Sequence, residues 1–135
     1  MSVGFLLVRA ERRAYGLPLD HVVEVADLAE VLEVPRADVA VRGLMPLRGR
    51  LVPLVHLGAF LGQRAPPPER GGAAVLVRLA GRLVAFEVDD AEEVVRETAL
   101  PLPDGQPLPW ATGVASRMDG LVPILDLDAL GDRIG

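Results

Sequence analysis

Short apolar runs alternate with polar turns along the whole chain. Gly, Pro and Asp-Gly positions interrupt the apolar runs at short intervals, which favours many short β-strands over a few long helices. Two Leu-rich segments, Leu57–Leu61 and Leu127–Leu130, are instead typical of short helical turns. The pattern therefore predicts a mainly β protein with two short helical turns.

The pattern of the first half is repeated in the second half. Residues 7–25 align with 76–94 at an offset of 69, and residues 43–59 align with 113–129 at an offset of 70. These blocks share 13 identities in 36 positions, too many and too well ordered for chance in a Leu/Val-rich chain. Polar and turn-forming identities include Arg9 with Arg78, Arg13 with Arg82, Asp20 with Asp89, Glu24 with Glu93, Gly43 with Gly113, and Pro53 with Pro123.

Two copies of one unit thus lie near 5–62 and 74–131, with a Pro- and Gly-rich linker at 63–73. Five short strands in about 60 residues match the size of a small SH3-like barrel. We predict a single domain over 1–135 made of two side-by-side five-stranded SH3-like barrels, related by internal duplication. The linker is expected to be solvent-exposed, and the sequence leaves open whether strands exchange between the barrels.

The second hairpin of each copy contains a tight turn. Residues 48–50 form it in the first copy and residues 118–120 in the second, where Asp119-Gly120 is a strong hairpin signal. We assign structural roles to Gly113, Asp119 and Gly120. Pro53 and Pro123 lie inside apolar runs, so the sequence predicts that their strands bend or lie at a sheet edge.

Composition narrows the class of protein. The chain has 135 residues, of which 50% are hydrophobic and 24% charged, as expected for one globular domain. It has no apolar run near 18 residues and no signal-peptide pattern, so we expect a cytoplasmic protein without membrane insertion. The absence of cysteine removes disulfides, thiolate nucleophiles and Cys-ligated zinc.

The charge argues against nucleic-acid binding. Arg supplies all 14 basic residues against 19 acidic ones, for a net charge of −5, and no basic stripe is present. No nucleophile elbow, P-loop or dinucleotide fingerprint occurs either. We interpret His21 and His56 as structural and the acidic run 89–93 as a solvated strand end, because it lacks the alternating ligands of a calcium loop. The sequence predicts no catalytic residue, metal site or cofactor.

Residues 41–57 include Gly43, the run Leu47-Arg48-Gly49, and Val52-Pro53. This segment resembles the signature of CheW-like domains, the coupling proteins of bacterial chemosensory arrays. Residues 15–25, 86–90 and 113–130 are similar to other elements of the same family, so the resemblance spans essentially the whole chain. The family fold is a pair of five-stranded SH3-like barrels without catalysis.

The resemblance implies a non-catalytic adaptor between two partners. One is the cytoplasmic tip of chemoreceptors (methyl-accepting chemotaxis proteins), held in an apolar groove between the barrels. The other is the regulatory domain of a CheA-type histidine kinase, docked on barrel surfaces. The expected location is at receptor arrays beneath the inner membrane, and the expected state in solution is a monomer.

Matching positions give the candidate partner-binding residues Val22, Glu24, Gly43, Leu47, Arg48 and Gly49. Several of these residues also have an alternative interpretation, in which they serve the fold and do not bind a partner. Arg48 is suited to pin a loop, the glycines to meet backbone needs, and Val22 to fill a core. Glu24 should point outward if Val23 and Val25 point inward.

Two positions depart from the family pattern. Pro46 replaces the usual Asn, and His56 replaces an Asp that the second copy keeps as Asp126. A rival hypothesis is a ligand-binding or hydrolytic double barrel that uses the acidic run 89–93 or His56. It predicts a concave pocket with converging polar groups and shifted pKa values. An adaptor for twitching motility or another non-flagellar pathway is a further alternative.

Overall fold

The computed structural model describes residues 2–28, 30–35, 38–102, 108–117 and 120–133. Within these ranges, ten strands form two sheets and a short helix follows each copy's last strand. The strands of the first copy are β1 (Ser2–Ala10), β2 (Arg13–Pro18), β3 (Val22–Asp27), β4 (Val41–Leu47) and β5 (Arg50–His56), followed by α1 (Leu57–Leu61). Those of the second copy are β6 (Ala73–Leu79), β7 (Arg82–Val88), β8 (Asp90–Thr98), β9 (Ala111–Arg117) and β10 (Gly120–Leu125), followed by α2 (Leu127–Gly131).

The two copies exchange strands reciprocally. Sheet A has the order β8-β1-β2-β10-β9, and sheet B has the order β3-β6-β7-β5-β4. Sheet A thus contains β1 and β2 of the first copy with β8, β9 and β10 of the second, and sheet B contains β6 and β7 of the second copy with β3, β4 and β5 of the first. The two orders are equivalent under the repeat. The predicted mainly β fold with two five-stranded sheets is confirmed. The sheets do not follow the division of the chain at 5–62 and 74–131, because neither copy completes a sheet alone.

Three apolar clusters hold the fold together. The largest lies between the sheets and includes Leu6 and Val8 of β1, Val75 and Val77 of β6, and residues of both helices. The smaller clusters lie inside the barrels, around Phe5 and Leu7 in sheet A and around Ala74 and Leu76 in sheet B. Strands β1 and β6 are therefore buried on both faces, which explains why they appear in the sequence as continuous apolar runs.

A buried ion pair anchors the segment that joins the copies. Glu87 of β7 is fully buried and accepts hydrogen bonds from Arg42 of β4 at 2.8 and 2.9 Å. Arg42 also donates to the carbonyl of Pro67 at 2.7 Å and of Glu69 at 3.1 Å. Gly71 N–H donates to Glu87 at 2.7 Å. The linker is thus mostly exposed, but its backbone is held against sheet B.

The sequence predicted that the strands of Pro53 and Pro123 bend or lie at a sheet edge; the edge position is wrong, and a bend stays a prediction. Their strands, β5 and β10, are each paired on both sides. The parallel ladder of β5 with β7 begins only at Leu54, and the single parallel pair of β10 with β2 is at Ile124. Each proline thus lies just before the parallel pairing, where a missing N–H removes no bond of that ladder.

Candidate functional site

The turn between β4 and β5 carries the most exposed of the predicted site residues. Leu47 pairs with Arg50, and the two residues between them, Arg48 and Gly49, have φ of 45° and 79°. Positive φ at both central residues is the geometry of a type I′ hairpin turn. A Cβ on Gly49 would meet nothing within 4 Å, so the turn needs glycine there for its backbone conformation alone.

Arg48 forms an ion pair with Glu24, which lies on the opposite edge of the same sheet. Arg48 Nη1 is 3.3 Å from Glu24 Oε2, and Arg48 Nη2 contacts Glu24 Oε1. Because β3 and β4 are the two edges of sheet B, this pair joins them where the sheet curls into a barrel. The Arg48 side chain remains 70% exposed, so the pair contributes only about 0.2–1 kcal/mol to stability.

An equivalent ion pair closes sheet A. Arg117 of β9 donates to Glu93 at 2.9 Å and to Glu97 at 2.6 Å, and both carboxylates belong to the opposite edge strand, β8. Glu93 is the repeat counterpart of Glu24. Arg117 is less exposed than Arg48, with 23% of its side chain accessible. The pair in sheet B therefore leaves its arginine more open to a partner than the pair in sheet A does.

The condition for an outward-pointing Glu24, that Val23 and Val25 point inward, is not met. Val23 and Val25 are each 47% exposed, whereas Val22, Glu24 and Ala26 are partly buried. A register shift between Val22 and Glu24 interrupts the pairing of β3 with β6. Side-chain burial nevertheless alternates regularly along β3, so the two valines face outward and Glu24 lies on the partly buried face.

Gly43 and its counterpart Gly113 occupy positions where a side chain does not fit. A Cβ on Gly43 would lie 2.3 Å from the carbonyl oxygen of Leu32, and one on Gly113 would lie 2.6 Å from that of Leu100. Leu32 and Leu100 form two-bond bridges to the residues that follow these glycines, Leu44 and Val114. Both glycines therefore admit a loop segment beside an edge strand, and partner binding by Gly43 stays a prediction.

The remaining predicted residues are divided between core and turns. Val22 packs against the cluster between the sheets, and Leu47 packs against the core of sheet B. Gly120 begins β10 with φ of 137°. Asp119 lies outside the described residues.

Exposed apolar side chains flank the β4–β5 turn. Pro46 and Leu51 pair across β4 and β5, and with Leu32 and Val31 they line a shallow cleft of about 450 Å³. Leu51 and Leu32 are 56% and 53% exposed. This cleft was not predicted from the sequence, although the apolar residues Pro46 and Leu51 on either side of a tight turn indicate an exposed apolar surface there.

The groups invoked by the rival hypothesis are used inside the fold. His56 Nδ1 accepts a hydrogen bond of 3.0 Å from Ala59 N–H and caps α1, and burial lowers the pKa of His56. In the acidic run, Asp89 accepts from Glu11 N–H at 2.8 Å and Glu92 pairs with Arg9 at 2.6 Å. In the part of the chain that the structure describes, no three His, Asp or Glu side chains converge as metal ligands.

Comparison with known proteins decides the family. A family model described as the CheW-like domain matches residues 4–134. The chain belongs to the CheW-like domain family. The chemotaxis protein CheW of Klebsiella aerogenes is 24% identical over 131 residues, which cover 96% of this chain and 74% of that protein. Family membership makes the chain a scaffold or adaptor of chemotaxis.

A solved structure of the same family has the same fold. The crystal structure of the scaffolding protein TtCheW from Thermoanaerobacter tengcongensis matches this chain with a TM-score of 0.82 and 21% identity, over 96% of this chain and 92% of that one. Among the helices of the described residues, none has the length and apolar character needed to cross a membrane.

Proposed function

We propose that the chain is a non-catalytic adaptor that couples chemoreceptors to the regulatory domain of a CheA-type histidine kinase. It acts without a cofactor, as a monomer in solution that joins receptor arrays at the cytoplasmic face of the inner membrane. The observation that carries the proposal is the exposed Arg48 at the β4–β5 turn, paired with Glu24 and flanked by outward-facing apolar residues.

The geometry of Arg48 suits exchange of partners. Its guanidinium has five N–H donors and gives only part of them to Glu24, so a carboxylate or the carbonyls of a helix end can bind the rest. The weak exposed pair with Glu24 costs little to loosen. Val23 and Val25 on one side and Leu51 on the other provide apolar contact area for a helix or a barrel surface.

The test is retention of the chain by a purified kinase regulatory domain and, separately, by a receptor-tip fragment from the same cell. Val25→Asp and Arg48→Glu should lose at least one partner while keeping the wild-type melting temperature. Arg117→Glu breaks the equivalent pair in sheet A and is the matched control, which should retain both partners. Val22→Asp is unsuitable, because Val22 packs against the core.

Failure of the wild-type chain to bind either partner would contradict the adaptor proposal. If Arg48→Glu, Val25→Asp and Arg117→Glu all bind as well as the wild type, the adaptor function stands, but the surface around Arg48 is not where the partners bind. A deletion strain, scored for swimming and for twitching, shows which form of motility the adaptor serves.

A further inference from the structure

Two arginine identities of the repeat have no role in the adaptor surface. Arg9 with Arg78 and Arg13 with Arg82 occupy equivalent positions in the two copies, on the hairpins β1–β2 and β6–β7. The structure places them in two clefts that are themselves equivalent under the repeat. The cleft of sheet A has a volume of about 490 Å³ and that of sheet B about 290 Å³.

Each cleft forms where a parallel strand pair separates. In sheet A, β2 and β10 are paired at a single position, Gly16 with Ile124, and the cleft opens between the remaining parts of the two strands. In sheet B, β7 and β5 are paired at three positions, and the cleft lies beyond them. Pro123 lines the first cleft and its repeat counterpart Pro53 lines the second.

The clefts concentrate arginines that have no carboxylate partner among the described residues. These are Arg12 and Arg13 in sheet A and Arg50, Arg78 and Arg82 in sheet B. All five are exposed. Arg13 has a hydrogen bond to the Tyr15 side chain, which leaves other N–H groups of its guanidinium open to a ligand. Arg9, by contrast, pairs with Glu92 at 2.6 Å.

Apolar groups lie next to these cations. The cleft of sheet A includes Leu121, Tyr15 and Trp110, and the two aromatic rings pack edge to face with centroids 5.9 Å apart. The cleft of sheet B includes Leu83 and Val84. A ligand that fits both therefore carries anionic groups and apolar groups close together.

We propose that each barrel binds a short acidic peptide segment of a protein partner in this cleft. Glutamate or aspartate side chains pair with these exposed guanidiniums, which bind carboxylates through two parallel hydrogen bonds. An apolar side chain between them packs on the proline and the neighbouring leucine. The net charge of −5 repels a long polyanion, so a peptide is favoured over nucleic acid. The inference goes beyond the proposed function and does not depend on it.

The experiment is an NMR titration of the full chain that follows the arginine Nε–Hε signals. The probe is a capped hexapeptide, Glu-Leu-Glu-Glu-Leu-Glu, and the matched control has Gln in place of every Glu. We expect saturable shifts of cleft arginines in both sheets, weakened by added salt, with two peptides bound per chain. Arg13→Gln should weaken binding in sheet A alone, and Arg82→Gln in sheet B alone, each by about tenfold or more.

Arg96→Gln removes an exposed arginine outside both clefts and should leave binding unchanged. The proposal is overturned if the Gln peptide binds as well as the Glu peptide, or if the Arg13→Gln/Arg82→Gln double variant keeps its melting temperature and still binds. It is also overturned if inorganic phosphate matches the affinity of the peptide, since the clefts would then be general anion sites.

Discussion

His56 and Asp126 perform the same task at equivalent positions of the two copies. Each side chain accepts a hydrogen bond of 3.0 Å from the N–H three residues later and so caps a short helix. The replacement of Asp by His at position 56 therefore keeps the cap and changes only its response to protons. Desolvation by burial lowers the pKa of His56, against the charges of Glu87 and Glu11.

This cap predicts a loss of stability in mild acid. Because the pKa of His56 is lower in the folded chain than in the unfolded chain, where it is near 6.5, the unfolded state binds the proton more tightly. The contribution of the His56 cap to stability is therefore complete above about pH 6.5 and falls as the pH drops toward the lower pKa of the folded chain. His56→Asn keeps a cap that does not titrate. The melting temperature of this variant should therefore fall less between pH 7 and 5.5 than that of the wild type. Parallel curves for the two chains would contradict the assignment.

His21 has the opposite pH dependence. Burial disfavours its charged form, but hydrogen bonds of 3.2 Å to Asp128 and Asp20 outweigh burial and raise the pKa of His21. Its contribution is therefore complete below about pH 6.5 and is lost as the pH rises through the higher pKa of the folded chain. We expect the melting temperature of His21→Gln to change less between pH 6 and 8 than that of the wild type. The same slope in both would show that His21 does not titrate in this interval.

Individual strands were predictable because their signals are local. Apolar alternation, tight turns and the Leu-rich ends located the hairpins and helices, and the I′ turn at Arg48-Gly49 follows from its own residues. The contact of Glu24 with Arg48 was not predictable, because it joins opposite edges of a five-stranded sheet. The orientation of β3 was missed because two valines are exposed on this edge strand, against the usual preference of valine for the core.

Substitution of Gly43 and of Gly49 compares the cost of a steric collision with the cost of an unfavourable backbone conformation. Gly43→Ala should destabilise the chain by about 1–3 kcal/mol in chemical denaturation, because the new Cβ would collide with the carbonyl of Leu32. Gly49→Ala is the control: it has positive φ but open space, so it should cost only about 1 kcal/mol. A Gly43→Ala chain as stable as the wild type would rule out the packing role.

The Arg42–Glu87 pair should be the most sensitive polar contact between strands. Removing one partner leaves a buried charge, so Arg42→Met should destabilise by about 3–5 kcal/mol. Arg42→Met combined with Glu87→Leu should recover part of that loss, since no unpaired charge remains. Urea denaturation of the two single variants and the double variant measures the coupling, and strictly additive losses would show that the two side chains do not depend on each other.

At the scale of the molecule, reciprocal strand exchange makes the two copies one folding unit. Each sheet needs strands from both copies, and the largest core lies between the sheets. We expect a single calorimetric transition, and two well-separated transitions would contradict this. Fragments 1–68 and 72–135 should be unfolded alone and should gain β structure by circular dichroism when mixed, whereas a folded single fragment would show that one copy is sufficient.

The exchange of strands also carries information about ancestry. Two identical chains of about 60 residues that exchanged strands in this way would form a domain-swapped homodimer. Joining these two chains end to end yields the present connectivity. The contacts of Arg42 with the linker carbonyls then postdate that fusion. The counterparts of Arg42 and Glu87 in the other sheet are Thr112 and Pro18, and Arg42 donates to the carbonyls of Pro67 and Glu69, in a segment that exists only once in the chain. These contacts with the linker thus belong to the fused chain and have no place in a dimer of separate copies.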